Sequence, residues 1–268
     1  MSGVFYGLIN CPHHRHFTGL GGGSGGVLRV GSLFSGGGLG DLGFLMAGCE
    51  IVFQVEIDEY CQKILELRYP NAKKFRDIRT VKGSDLPAVD ILTGGFPCQP
   101  HSNIGKRQGN LDERDLWPDM FRVIREVKPK YVVGENVSGI TGTILDQVLS
   151  DLESQNYQTI TLIFQAHAIG APHPRERLWI VAYPKSNQEN GKQGETFAIY
   201  DKWESWMVAE CNGVSQGRHF WASEPRVGRV ANGITYRMDR LKLLGNGQVP
   251  FVTKWIAERI MQYDLTVL

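Results

Sequence analysis

A chain of 268 residues with 42% hydrophobic content can bury one substantial core with room for a small second lobe, which excludes fibrous and disordered classes. Its 29 basic and 28 acidic side chains leave a formal net charge of +1, so a polyanion site must come from local clustering rather than from a molecular field. Five scattered cysteines without a C-x-x-C pair exclude a disulfide framework or a zinc ribbon, and no apolar run approaches the roughly 20 residues that span a bilayer, so a reducing, cytoplasmic setting without membrane is expected.

The first 27 residues differ from the rest. Cys11-Pro12-His13-His14-Arg15-His16 runs into the glycine-rich stretch Gly19 to Gly26, which reads as a flexible extension. Ligands on such a tether lack rigid supporting hydrogen bonds, so no metal site is assigned there. From Leu28 the pattern alternates: strand Leu28 to Phe34, helix Leu39 to Ala47, strand Ile51 to Glu56, helix Glu59 to Tyr69, strand Val89 to Leu92, helix Leu116 to Val127. Alternation of this kind predicts a parallel sheet with crossover helices. Leu116, Met120, Val123, Ile124 and Val127 share one helical face, as do Ile144, Leu145, Val148, Leu149 and Leu152. Tyr131 to Val133, Thr159 to Phe164 and Leu178 to Ala182 bring the sheet to about seven strands. Periodicity is lost after Tyr183 and returns at Met238 to Leu244 and at Phe251 to Met261, where Val252, Ile256 and Ile260 form a stripe that packs back on the first lobe. The organisation expected is an extension over 1–27, a catalytic and cofactor-binding domain over 28–183, a small recognition region over 184–236 and C-terminal helices over 237–268.

Between the first strand and helix lies Phe34-Ser35-Gly36-Gly37-Gly38-Leu39-Gly40, a turn that lets a ligand approach the backbone closely. It lacks the G-x-G-x-x-G spacing, and no Lys-Ser/Thr pair follows, which disfavours dinucleotides and triphosphates. Glu56 ends the second strand about twenty residues on, where a carboxylate accepts hydrogen bonds from both hydroxyls of a ribose. A nucleoside-containing cofactor without a triphosphate satisfies both features. Asp77-Ile78, near the end of a short third strand, is a candidate adenine contact, with a turn or helix cap as the alternative for Asp77.

Two further segments carry chemistry. Cys98 follows the strand Val89 to Leu92 within Thr93-Gly94-Gly95-Phe96-Pro97-Cys98-Gln99-Pro100, and Glu135 follows Tyr131 to Val133 within Gly134-Glu135-Asn136-Val137. Strands leaving one edge of a parallel sheet deliver their ends into one crevice, so a thiol and a carboxylic acid here suggest nucleophile and acid. A nucleophilic Cys98 needs nearby positive charge, for which Arg175 and Arg177 are candidates. The alternatives are a small buried hydrophobe for Cys98 and a helix cap for Glu135. Between Arg218 and Lys242 stand six basic residues, Arg218, Arg226, Arg229, Arg237, Arg240 and Lys242, interleaved with His219, Phe220, Trp221 and Tyr236. Such a surface suits phosphate contact with base stacking or guanine readout, with a solvated helical face as the alternative.

The ordered set Leu33 to Phe44, Gly94 to Pro100, Gly134 to Val137, Pro174 to Ala182 and Leu243 to Pro250 resembles the motifs of the DNA cytosine-5 methyltransferases of bacteria and phages. That resemblance implies an α/β fold, a Rossmann-like class I methyltransferase sheet of about seven strands with helices on both faces, plus a small irregular target-recognition lobe. It implies S-adenosylmethionine as cofactor, surrounded by Phe34, Ser35, Gly36, Gly37, Glu56, Ile57, Asp77, Ile78, Pro97, Leu116, Asn246 and Gln248. It implies that Cys98 attacks carbon 6 of a cytosine, that Glu135 contacts ring nitrogen 3 and the exocyclic amine, and that Arg175 and Arg177 support the base near oxygen 2. The reaction requires the base to be rotated out of the duplex. Gln99 to Arg114, with Ser102, Lys106 and Arg107, resembles the family's mobile loop that closes over it, although His101 stands where a Phe is usual. With Arg218, Arg226, Arg229 and Arg237, these are the expected nucleic-acid contacts.

The partner so implied is double-stranded DNA with a target cytosine, in a bacterial cell or phage-infected host, with or without a cognate restriction endonuclease, and the chain is expected to be a monomer. Two other functions fit the same motifs: cytosine-5 methylation of transfer RNA, and a non-catalytic DNA-binding regulator.

Overall fold

The computed structural model describes residues 26–97, 115–140, 142–166, 175–185 and 237–267. Seven strands form one sheet in the order β3-β2-β1-β4-β5-β7-β6, comprising β1 (Arg29–Leu33), β2 (Glu50–Val55), β3 (Lys73–Phe75), β4 (Ile91–Gly95), β5 (Tyr131–Val137), β6 (Tyr157–Gln165) and β7 (Glu176–Pro184). Helices α1 (Leu39–Met46), α2 (Glu59–Arg68), α3 (Trp117–Val127), α4 (Gly142–Ser154), α5 (Arg237–Asn246) and α6 (Pro250–Val267) accompany it.

Side chains alternate across the sheet and feed two cores. Leu33, Leu92 and Val132 meet Met120, Val123 and Ile124 of α3 and Val148 and Leu152 of α4. Val30, Ile91, Tyr131 and Val133 meet Phe44 of α1 and Val252, Trp255, Ile256 and Ile260 of α6. The expected stripe on the last helix therefore does pack back on the sheet, with Trp255 adding to it. Helix α1 approaches α6 through glycine: a Cβ on Gly43 would collide with the carbonyl of Pro250, and Thr253 Oγ1 donates to the Gly40 carbonyl at 2.9 Å.

The expectation of a parallel sheet holds for β3-β2-β1-β4-β5 and fails at one strand. β7 runs antiparallel to both β5 and β6. A parallel return needs a crossover of roughly a dozen residues or more, and the interval between Gln165 and Glu176 is too short for one. β3 also ends at Phe75, so Asp77 and Ile78 lie beyond it rather than at its end.

Strand order reverses between β1 and β4, which both pair with each other in parallel while their following segments go to opposite sides. The crevice at such a point receives ligands in open α/β sheets. No helix among the described residues is long and apolar enough to cross a membrane.

Candidate active site

One side of the crevice is a turn held in left-handed backbone. Phe34, Gly36 and Gly38 have φ of 54°, 53° and 76°. Such angles cost a residue with a Cβ, which explains glycine at two of the three places. A Cβ on Gly36 would meet open space, so this residue is glycine for its backbone, whereas one on Gly37 would fall 2.7 Å from Leu243, so that one is glycine for close packing. Ser35 Oγ donates to Ser32 Oγ at 2.9 Å and ties the turn to β1. Glu56 then completes the hollow. The Gly36 N–H donates to Glu56 Oε2 at 2.7 Å and the Asp58 N–H to Oε1 at 2.8 Å, so each oxygen is oriented by backbone and keeps a lone pair for a ligand. Ile57 beside it is exposed, an apolar surface at the rim.

The other side is built by β4, β5 and β7. Glu135 lies inside β5, paired with Gly95, rather than past the strand's end, so it caps no helix. It is 7% exposed. Arg177 Nε stands 3.1 Å from Glu135 Oε1, within ion-pair range but without the alignment of a hydrogen bond, which leaves Oε1 buried with no donor. Burial pushes the Glu135 carboxyl up from its ordinary value, against the opposing pull of Arg177 and Arg175. Arg175 Nη1 donates to the Gly245 carbonyl at 2.6 Å, and its Nε is buried with no acceptor. Desolvation depresses the Arg175 guanidinium, and its neighbour Arg177 adds to that.

The two sides meet at Gln248. A Cβ on Gly40 would collide with its amide oxygen, and one on Gly95 would fall 3.3 Å from its Nε2 and 2.8 Å from Glu135 Oε2. Glycine at 40 and 95 is thus what admits Gln248 between the turn and the buried carboxyl.

Against known families, the model for C-5 cytosine-specific DNA methylases matches residues 28–219. The chain belongs to this family. It is 35% identical over 174 residues to the type II methyltransferase M.BsuFI of Bacillus subtilis, covering 59% of this chain and 42% of that protein. It is likewise 35% identical over 161 residues to the type II methyltransferase M.HhaI of Haemophilus parahaemolyticus, covering 58% of this chain and 49% of that one. The matched part thus spans about half the length of these curated relatives. Among solved structures, the S. pombe Dnmt2 methyltransferase superposes with a TM-score of 0.61 at 18% identity, over 88% of this chain and 99% of that one, which shows a shared fold.

In this chain the expected residues fall into four groups. Phe34, Ser35, Gly36 and Gly37 form the turn that meets Glu56 through the Gly36 N–H, Ile57 follows Glu56 in the chain, and past the end of α5 at Asn246, Gly247 packs on Leu39 and Gln248 on Gly40 and Gly95. Pro97 and Leu116 come together through Leu116 N–H to the Pro97 carbonyl at 3.3 Å. Asp77 and Ile78 follow β3: the Asp77 carboxylate accepts from Arg79 Nε at 2.9 Å and Nη2 at 2.7 Å, and the Ile78 side chain is buried in the core beside α3. Cys98, Gln99, Ser102, Lys106, Arg107, Arg218, Arg226 and Arg229 lie outside the described residues, as do the side chain of Arg237 and the regions 1–25 and 186–236.

Asn136 was given no role by its sequence position, yet it is a supporting group. Its Nδ2 donates to the Phe96 carbonyl at 3.0 Å from a buried position. With Leu116 on Pro97, both carbonyls preceding Cys98 are pinned. Its place in the run Gly134 to Val137 was the available signal, but an Asn in a strand says nothing of its partner.

Proposed function

We propose that this methylase transfers a methyl group from S-adenosylmethionine to carbon 5 of a cytosine in double-stranded DNA, with Cys98 as covalent nucleophile. The observation carrying this reading is the buried Glu135, set opposite Gly95 three residues before Cys98 and flanked by Arg177. The hollow fits the donor: a carboxylate oriented by two backbone N–H groups suits ribose hydroxyls, the open face of Gly36 admits close approach, and exposed Ile57 offers an apolar contact to an adenine. When bound, S-adenosylmethionine supplies an electrophilic methyl group on sulfur.

The residues of the chain perform the rest. The Cys98 thiolate forms a bond to carbon 6 of the flipped base, while Glu135, whose burial favours the protonated form, donates a hydrogen bond to ring nitrogen 3 as negative charge builds there. Electron density so released makes carbon 5 nucleophilic enough to take the methyl group, the sulfur–methyl bond breaking and the donor leaving as the neutral thioether S-adenosylhomocysteine. Loss of the carbon 5 proton then re-forms the double bond and expels the Cys98 thiolate. Among the described residues, Glu135 Oε1 has only the ion pair with Arg177 and the buried Arg175 Nε has no hydrogen-bond acceptor, which supports a pocket completed by a polar base. Turnover should fall on the alkaline side as Glu135 loses its proton.

By extension from the type II relatives, the substrate is a short target sequence in the DNA of a bacterial cell or phage-infected host, methylated in the cytoplasm with or without a cognate nuclease. Trapping on a duplex whose target base is 5-fluorocytosine tests the chemistry, because fluorine at carbon 5 cannot leave as a proton does. A denaturation-resistant adduct mapping to Cys98, absent from Cys98→Ser, is the expected result. An adduct on another side chain, or methyl transfer at full rate by Cys98→Ser, would overturn the reading.

A further inference from the structure

We propose that Lys242, distant in sequence from Glu56, is a positioning residue for Glu56 and acts on it through Asp58. The inference rests on the reading of Glu56 as the donor's ribose ligand. Lys242 Nζ lies 2.7 Å from Asp58 Oδ2, a pair formed across 184 residues. Asp58 is no ordinary surface acid. Its Oδ1 caps α2 by accepting the Cys61 N–H at 3.1 Å, and its own N–H holds Glu56 Oε1 at 2.8 Å. Gln62 Nε2, one turn into the same helix, donates to the Glu56 carbonyl at 2.6 Å. The start of α2 and the donor-facing carboxylate are therefore one hydrogen-bonded unit, and Lys242 is the cation that α5 sets against it.

Helix α5 is well placed to exert such an influence. The neighbouring Leu243 closes on the donor turn so tightly that Gly37 has no room for a Cβ, and the Gly245 carbonyl holds Arg175 on the base side. A lysine carried on this helix comes to Asp58 already located, which lowers the ordering cost of the pair. Removal of its charge leaves two carboxylates, Asp58 and Glu56, two positions apart at one helix start with no facing cation from α5. Repulsion between them then turns the Asp58 cap and loosens the N–H that orients Glu56. Within the basic stretch Arg218 to Lys242, the ammonium of Lys242 is thus paired with Asp58.

The pair is largely open to solvent on the lysine side, so the effect should be modest and sensitive to salt. Calorimetric titration of the full chain with S-adenosylhomocysteine should show Lys242→Met binding about two- to fivefold more weakly at low ionic strength, in keeping with an exposed pair. Lys242→Arg should restore the affinity, and turnover at saturating donor should stay that of the wild type, giving a change in KM without one in kcat. Asp58→Asn, which keeps a capping oxygen and removes the like charge, should lose less affinity than Lys242→Met, and adding it to Lys242→Met should recover most of the lost binding. At about 1 M salt the difference should vanish as the Debye length falls to about 3 Å. Equal affinity of Lys242→Met and wild type at low salt, or additive losses in the double variant, would overturn the proposal. Failure of the folded wild-type chain to bind S-adenosylhomocysteine at all would instead sink the assignment of the donor hollow.

Discussion

The donor side and the base side of the crevice are finished to different degrees. At Glu56 both carboxylate oxygens already accept a backbone N–H, and the turn facing them is fixed by left-handed glycines and the Ser35 to Ser32 contact. At Glu135 the geometry is equally fixed by β5, but among the described residues Oε1 has only the Arg177 ion pair without a hydrogen bond, and Arg175 Nε has no acceptor, although both are buried. An unmet buried polar atom costs about 1–3 kcal/mol, so the base side stores unfavourable energy that an incoming polar ring can relieve. The difference teaches that orientation and satisfaction are separable: the donor side is orientated and satisfied, the base side orientated and left wanting.

The largest expected effect breaks the base side alone. Glu135→Gln keeps the shape and removes the acid, so methyl transfer should drop by about 10²–10⁴-fold in a radiolabel assay while donor affinity is unchanged. A parallel loss of donor binding would mean that the two sides are not independent.

Next is the support beneath the donor turn. Asp41 of α1 is buried and accepts from Gln54 Nε2 at 2.5 Å, and burial pushes its carboxyl up from 3.8 to about 6, opposed by hydrogen bonds from Ser32 and Gln54 and by Lys74. The folded chain thus holds this proton more tightly than the unfolded one. Its stabilisation is complete below about pH 4 and is lost as pH rises to about 6, a change on the order of 3 kcal/mol from a shift of about two pH units. Urea unfolding at pH 4 and pH 7 should show Asp41→Asn lacking that decline, and a slope equal to wild type would place the proton elsewhere.

Smaller again is the donor ligand itself. Glu56→Ala should weaken S-adenosylhomocysteine binding by about 10- to 100-fold, the range for hydrogen bonds to a charged group. Turnover at saturating donor should survive better than in Glu135→Gln, which would sharpen the contrast. The Lys242→Met effect is the least of the series.

Legibility in the sequence follows the range of each interaction. The seven strands, the glycine turn and Glu56 were readable because strand period, turn chemistry and strand-end position are local properties. The pairing of Asp77 with Arg79 was not readable, because an acid after a strand looks alike whatever it faces. The partners of Asn136 and Lys242 were not readable, since they stand 40 and 184 residues away, and Lys242 was read only as one of a basic stretch.

By itself the sequence determined which elements form, which faces they bury and which chemical groups the chain carries, because these depend on neighbours within a few residues. Tertiary structure alone decided that β7 enters antiparallel beside β5 and so brings Arg177 to Glu135, that Asn136 pins the approach to Cys98, and that α5 returns Lys242 to Asp58. Strand orientation and contacts across the sheet are fixed by the packing of both cores and by the length of connections, which no local pattern of residues encodes.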